Sequence, residues 1–230
     1  MWGLWKQDIS IDKIVNSGYV MCWSAKWLGH EKIMFDSVMR STPKVMCKRI
    51  HRLLCQADVV VHYNGTSFDM PTLNKEFVEM DILPPEPYKQ VDLLLAVRKA
   101  FRFTSNKLDY VSKALGLGTK ERHPGFKMWV DCMARNRAAW KIMERYNRQD
   151  VALLETLYRK LLPWLKGHPN LGNLTDASAC PNCASLNWFR NGWAYTQVMK
   201  YPRYQCKDCG TYFRGQHSAK TERKRFQGLA

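Results

Sequence analysis

The sequence contains no apolar run of the eighteen or so residues that a membrane-spanning helix needs. Its opening stretch, MWGLWKQDIS, has no apolar h-region of a secretory leader. No internal repeat and no low-complexity run is present. Acidic side chains are scarce: 20 Asp+Glu stand against 36 Lys+Arg, giving a formal net charge of +16 and a pI of about 9.6. These absences imply a soluble cytoplasmic protein that is not secreted and has no membrane partner. Hydrophobic residues make up 46%, with 9 Trp, 10 Tyr and 9 Phe, so the 230 residues can bury a core. The length suits one medium domain, alone or with a small module. The cationic excess favours a polyanionic partner, nucleic acid foremost, over a surface charged only for solubility.

A disulfide framework is not expected in a chain of this length without a leader. Cys22, Cys47, Cys55 and Cys132 are scattered and read as small buried hydrophobes. The other four cysteines form two tight pairs, Cys180-Pro-Asn-Cys183 and Cys206-Lys-Asp-Cys209.

The composition divides the chain into a domain over 1–165, a linker over 166–178 rich in Gly, Pro, Asn and Ser, a cysteine-bearing module over 179–215 and a basic tail over 216–230. Residues 176–230 hold 9 basic and 3 acidic side chains, so the smaller piece is denser in positive charge. In the first domain, 17–27 and 32–38 read as a strand hairpin across Gly29-His30-Glu31. Thr42-Pro43 opens a helix over 43–56. The apolar run ADVVVHYN, 57–64, suits a buried parallel strand. Helices are expected at 70–80, 91–102, 105–115 (capped by Thr104-Ser105 and closed by Gly116) and 135–162. Strands alternating with helices indicate an α/β fold.

Two carboxylates stand out. Asp69 follows Phe68 just past the 57–64 strand, where open α/β sheets gather ligand groups; the competing reading is a helix N-cap. Asp150 lies on an apolar stripe that runs from Trp140 through Met143, Tyr146, Leu154 and Leu157 to Leu161. A carboxylate there is costly unless it is paired or bound to a cation. Tyr146 sits one turn earlier on the same face, so a core Tyr–Asp hydrogen bond is the alternative.

These segments carry a resemblance. Asn64-x-x-x-Phe68-Asp69-x-Pro71 resembles the second exonuclease motif of the proofreading-type DEDD nucleases, and Tyr146-x-x-x-Asp150 resembles the third motif of their tyrosine-bearing subclass. The stretch from Val91-Asp92-Leu93 through Leu108-Asp109-Tyr110 to Leu115-Gly116-Leu117 is similar to the family's segment between the two. The resemblance covers about residues 1–165 and is nearest to phage and bacterial exonucleases. It implies a ribonuclease-H-like mixed sheet flanked by helices and two-metal phosphodiester hydrolysis, with Mg²⁺ or Mn²⁺ in an all-oxygen site. Carried over residue by residue, Asp150 would ligate a metal, Asp69 would hold the second, Tyr146 would orient the attacking water, and Asn64 and Phe68 would shape the pocket for the terminal nucleotide. The implied partners are single-stranded 3′ ends and a replication protein, in the cytoplasm of a bacterial or phage-infected cell.

The family's first motif, Asp-x-Glu on an opening strand, has no counterpart here: Asp8, Asp12, Glu31 and Asp36 stand in the wrong context. The resemblance therefore implies that this chain begins just after the family's central first strand. A late start is the favoured explanation, because loss of a central strand exposes its neighbours' backbone groups. A binding relative that no longer cuts, or a strand supplied by another segment or chain, are the alternatives.

The two cysteine pairs, with 22 residues between Cys183 and Cys206, have the spacing of a zinc ribbon. Four thiolates make a closed, structural Zn²⁺ site, and metal binding would supply most of the folding free energy of so small a piece. Arg190, Lys200, Arg203 and Lys207 alternate with aromatics, a pattern suited to phosphate tracking and base stacking. His217 reads as exposed surface. The leading function is a metal-dependent 3′–5′ exonuclease whose ribbon holds the strand. The alternatives are an inactive nucleic-acid-binding relative and a zinc-ribbon adaptor of a replication or transcription complex.

Overall fold

A computed structural model describes residues 18–119, 125–174 and 178–218. The opening segment with Asp8 and Asp12, and the basic tail from residue 219 on, lie outside the described residues. The chain forms two compact units that divide between Leu157 and Tyr158.

The first unit is α/β. Strands β1 (Cys22–Lys26) and β2 (Ile33–Ser37) form an antiparallel hairpin in which Trp23 faces Asp36. Its turn closes with His30 N–H donating to Trp27 O, beside Gly29 in the left-handed region (φ 81°). Helix α1 (Pro43–Cys55) starts as expected, with the Thr42 hydroxyl accepting from Val45 N–H and proline in the first turn. Strand β3 (Val59–His62) pairs in parallel with β4 (Lys89–Asp92), and helix α2 (Asp69–Glu79) lies between them in the chain. Helices α3 (Leu93–Ala100), α4 (Leu108–Ala114), α5 (Phe126–Met133) and the 25-residue α6 (Arg137–Leu161) follow.

Two apolar clusters clad the hairpin. Met46, Cys47, Ile50 and Leu54 of α1 pack with Leu73 and Phe77 of α2, against Trp23, Ala25 and Val60. Met128 and Cys132 of α5 pack with Trp140 and Met143 of α6, against Cys22, Phe35 and Tyr146. Ion pairs tie the edges: the buried Asp36 accepts from Arg49 and from the Ser41 hydroxyl, and Lys26 pairs with Glu155. Asp36 is thus a structural link from β2 to α1. Cys47 and Cys132 are fully buried, and burial pushes both thiols up to about 11, so they act as apolar filler rather than nucleophiles.

Three expectations need correction. The helix expected over 91–102 begins only after β4, because Asp92 ends the strand and caps α3 through Leu94 N–H. The helix expected over 105–115 starts at Leu108 with Lys107 in the cap position, so Thr104-Ser105 does not cap it. Its end is as expected: Gly116 turns left-handed (φ 70°) and Leu117 N–H donates to Ser112 O. Helix α5 is an element for which the sequence reading made no provision.

The second unit holds the last turn of α6, two 3₁₀ turns (Leu162–Trp164 and Leu171–Leu174) and an antiparallel sheet in the order β5–β6–β7. These strands span Trp188–Tyr195, Lys200–Cys206 and Tyr212–Arg214. The stretch read as a linker is partly anchored: Leu171 N–H donates to Pro181 O and the Tyr158 hydroxyl bonds His168 Nε2 at 2.8 Å. Among the described residues, no helix is long and apolar enough to cross a membrane.

Candidate active site and metal centre

Beyond the carboxyl end of β3 the chain makes a tight loop, Tyr63 to Phe68, before entering α2. Asn64 takes a left-handed conformation (φ 67°) and Gly65 lies against His62. A Cβ at Gly65 would fall 2.5 Å from His62 Cγ, so only glycine fits there. The loop is wound by its own backbone, with Ser67 N–H donating to Asn64 O and both Phe68 and Met70 N–H to Gly65 O.

Asp92 holds this loop from β4. Its carboxylate accepts from Asn64 N–H (2.9 Å), Thr66 N–H (3.3 Å) and Leu94 N–H (3.0 Å). Burial alone would raise its carboxyl, but these N–H groups and the nearby His62 outweigh that, and the net shift is downward. His62 completes the lock: Gly65 N–H donates to Nδ1 (3.1 Å) and Nε2 bonds Gln90 Oε1 (2.9 Å). Tyr63 anchors the far side by donating to Asn106 O at 2.6 Å.

The loop held in this way leaves Asn64, Phe68 and Asp69 each exposed at the entry to α2. The cap reading of Asp69 fails, since Phe68 occupies the N-cap position and makes no side-chain cap bond, and Asp69 is the first helical residue. Phe68 is 44% exposed, a large ring left open to solvent. The carboxyl of Asp69 is raised, chiefly by the protein crowded around it, with His62 opposing and Asp92 reinforcing the shift. A divalent cation beside it would reverse that shift.

Tyr146 and Asp150 lie one turn apart on α6, both half-buried. The Tyr146 ring packs edge-on against Trp129, 6.5 Å between centroids. The structure therefore assembles the sequence-predicted residues as two sets, one on the β3–α2 loop and one on α6. Among the described residues, the group of three or more His, Cys, Asp or Glu side chains with ligand atoms within 4.8 Å is Cys180, Cys183, Cys206 and Cys209.

That cysteine group comes from two matched knuckles. In the first, Ala184 is left-handed (φ 58°) and its N–H donates to Cys180 O; in the second, Gly210 (φ 77°) does the same to Cys206 O. Cys180 N–H bonds Ser185 O and Cys206 N–H bonds Thr211 O, so the two loops repeat one geometry. The closest sulfurs, Cys180 with Cys209 and Cys183 with Cys206, are 3.6 Å apart. That is far too long for a disulfide, whose sulfurs sit about 2.0 Å apart. A tetrahedron with metal–sulfur bonds of about 2.3 Å has edges of about 3.8 Å, so the donor set fits zinc. His217 is exposed and takes no part in it.

The four contact residues expected in the cysteine-bearing module separate. Strand register puts Arg190 and Lys200 on one face, where both lie over Trp193, at 4.5 and 4.1 Å from its ring centre. Arg203 and Lys207 belong to the other face, over Tyr212 (5.5 Å) and Phe189 (5.8 Å).

A family model described as RNase_H superfamily matches residues 18–162, more than half of the chain. The chain belongs to the RNase H superfamily. The match covers both predicted acidic sets and ends before the first knuckle. A search of the curated proteins finds no match. Membership in the RNase H superfamily points to nuclease-type chemistry on nucleic acid, and nucleases of this kind use divalent metals. The sequence reading missed the His62–Gly65–Asp92 lock. Its signal was the pair Asn64-Gly65 at a strand end, which marks a tight turn.

Proposed function

We propose that this protein is a metal-dependent 3′–5′ exonuclease whose zinc ribbon helps to hold the strand. The observation that carries the reading is the loop held by Asp92 at the carboxyl end of β3, in which Asn64, Phe68 and Asp69 are exposed. Asp69 and Asp150 are the proposed Mg²⁺ or Mn²⁺ ligands, and Tyr146 orients water. Phe68 offers its open ring to the terminal base, and Asn64 a polar contact beside it. Two bound cations would stabilise the attacking and leaving oxygens of phosphodiester hydrolysis. Cys180, Cys183, Cys206 and Cys209 hold one structural Zn²⁺, with no ligand position open for catalysis. The domain limits 1–165 and 179–215 are proposed for the nuclease and the ribbon.

The test is shortening of a 3′-labelled single strand in Mg²⁺ or Mn²⁺, read on a denaturing gel. Stepwise loss of 3′ nucleotides that Asp150→Ala and Asp69→Ala both abolish is the expected result. Equal products from the wild type and both variants refute these acids as ligands. A second reading, binding without cleavage, draws on the ribbon's five cations set among exposed aromatics. Retained strand with no shortening in either metal would select it.

A further inference from the structure

The two faces of the β5–β6–β7 sheet differ in how they use their aromatics. On one face Trp188, Tyr204 and Phe213 pack on each other, with centroids 4.8 to 6.0 Å apart, and form the module's small core. Trp193 on that face lies beneath the cations of both Arg190 and Lys200. The opposite face has no such core. It presents Phe189 (42% exposed) and Tyr212 (55% exposed) in one cross-strand row with Gln205. Arg203 and Arg214 face each other in the next row, and Tyr201 follows. Lys207 extends past the other end.

We infer that this second face is the track for single-stranded nucleic acid, with bases stacked on Phe189, Tyr212 and Tyr201 and phosphates held by Lys207, Arg203 and Arg214. The inference rests on the proposed nucleic-acid function and specifies where and in what form the strand binds. Rows on one face of a strand recur about every 6.7 Å, a spacing an extended single strand can follow and a stacked duplex cannot. Each cation already lies over an aromatic ring: Lys207 over Phe189 (5.8 Å), Arg203 over Tyr212 (5.5 Å) and Arg214 over Tyr201 (4.6 Å). A base stacked on the side of the ring away from its cation thus has a positive charge at hand for its own phosphate. Arg203 is also held in place, donating from Nε to Asn191 O at 2.7 Å across the bulge between Arg190 and Trp193. Charge complementarity favours a polyanion over a protein partner. Residues 178–218 carry five Lys+Arg and a single acid, Asp208, which is turned to Ser185 and Asn187 in the knuckles.

The test is fluorescence anisotropy of a labelled oligo-dT with the full chain, zinc content verified for every variant. Phe189→Ala and Tyr212→Ala should each weaken binding about tenfold. Lys207→Ala should lower the slope of log affinity against log salt by about 0.7. Lys200→Ala and Trp193→Ala should leave binding within about twofold, and a duplex competitor should displace the strand poorly. Loss confined to the Lys200 and Trp193 variants would overturn the choice of face. Equal competition by duplex would overturn the single-strand assignment. Binding that no ribbon variant changes would refute the track while sparing the nucleic-acid function, whereas absence of binding in the wild type would remove both.

Discussion

Asp92→Ala should destabilise the α/β unit by about 3 kcal/mol. The carboxylate is only 4% exposed and accepts three backbone N–H groups. Loss of a helix cap, here the bond to Leu94 N–H, costs about 1 kcal/mol. The bonds from Asn64 and Thr66 are charge-assisted but only partly buried, so about 1 kcal/mol each is a restrained figure. With a urea dependence near 2 kcal/mol per molar, the midpoint falls by about 1.5 M. Asp92→Asn should cost less. Asn64 and Leu94 both bond Oδ1, which asparagine can keep, whereas its amide group meets Thr66 N–H, donor to donor. The pH dependence gives an independent check. The folded carboxyl is lowered from 3.8, so its contribution is complete above the unfolded value and is lost as pH falls through the folded one. The gap between wild type and Asp92→Asn should therefore be constant from pH 7 to about 5 and close below about 4. Urea unfolding at saturating zinc, followed by far-UV circular dichroism across that range, reads both effects. A midpoint shift under about 0.3 M for Asp92→Ala, or a gap unchanged down to pH 3, would refute the lock.

Gly65→Ala should destabilise as well, by about 2 kcal/mol, since the new methyl meets the His62 ring and that ring must leave Gln90; thermal unfolding checks it. Ala184→Gly should raise stability by about 0.5–1 kcal/mol, because alanine holds a left-handed conformation that glycine already relieves at the matching Gly210; the ribbon's unfolding midpoint measures it. Native mass spectrometry should find one zinc per chain, and Cys206→Ser should abolish it and melt the ribbon's strands while α1 and α6 remain helical. A ribbon still folded after zinc removal would contradict a structural metal.

The elements that the sequence made legible are those whose signals are local. Proline at the start of α1, the glycine that ends α4 and the long apolar stripe of α6 each follow from a few neighbouring residues. Strand β4 was hidden because Lys89 and Gln90 are exposed and only Val91 and Asp92 are buried, so its strand character comes from pairing with β3. Helix α5 carried a faint signal, Met128 and Cys132 one turn apart, too short to stand out. The lock was invisible for a different reason. Asn64 and Asp92 are 28 residues apart, and the parallel register of β3 with β4 brings them together.

The separation of the cations on the β5–β6–β7 sheet follows the same rule with a sharper consequence. Strict alternation along an uninterrupted strand would put Arg190 on the face opposite Trp193. The bulge between them inserts a residue's worth of register, and the pair shares a face. Read as composition, Arg190, Lys200, Arg203 and Lys207 form a single basic patch. Folded, Arg190 and Lys200 both lie over the half-buried Trp193, while Arg203 and Lys207 lie over Tyr212 and Phe189, rings open to solvent. The same net charge is thus spent differently on the two faces. A variant set chosen by charge alone would mix structural losses with binding losses, whereas one chosen by face can tell them apart.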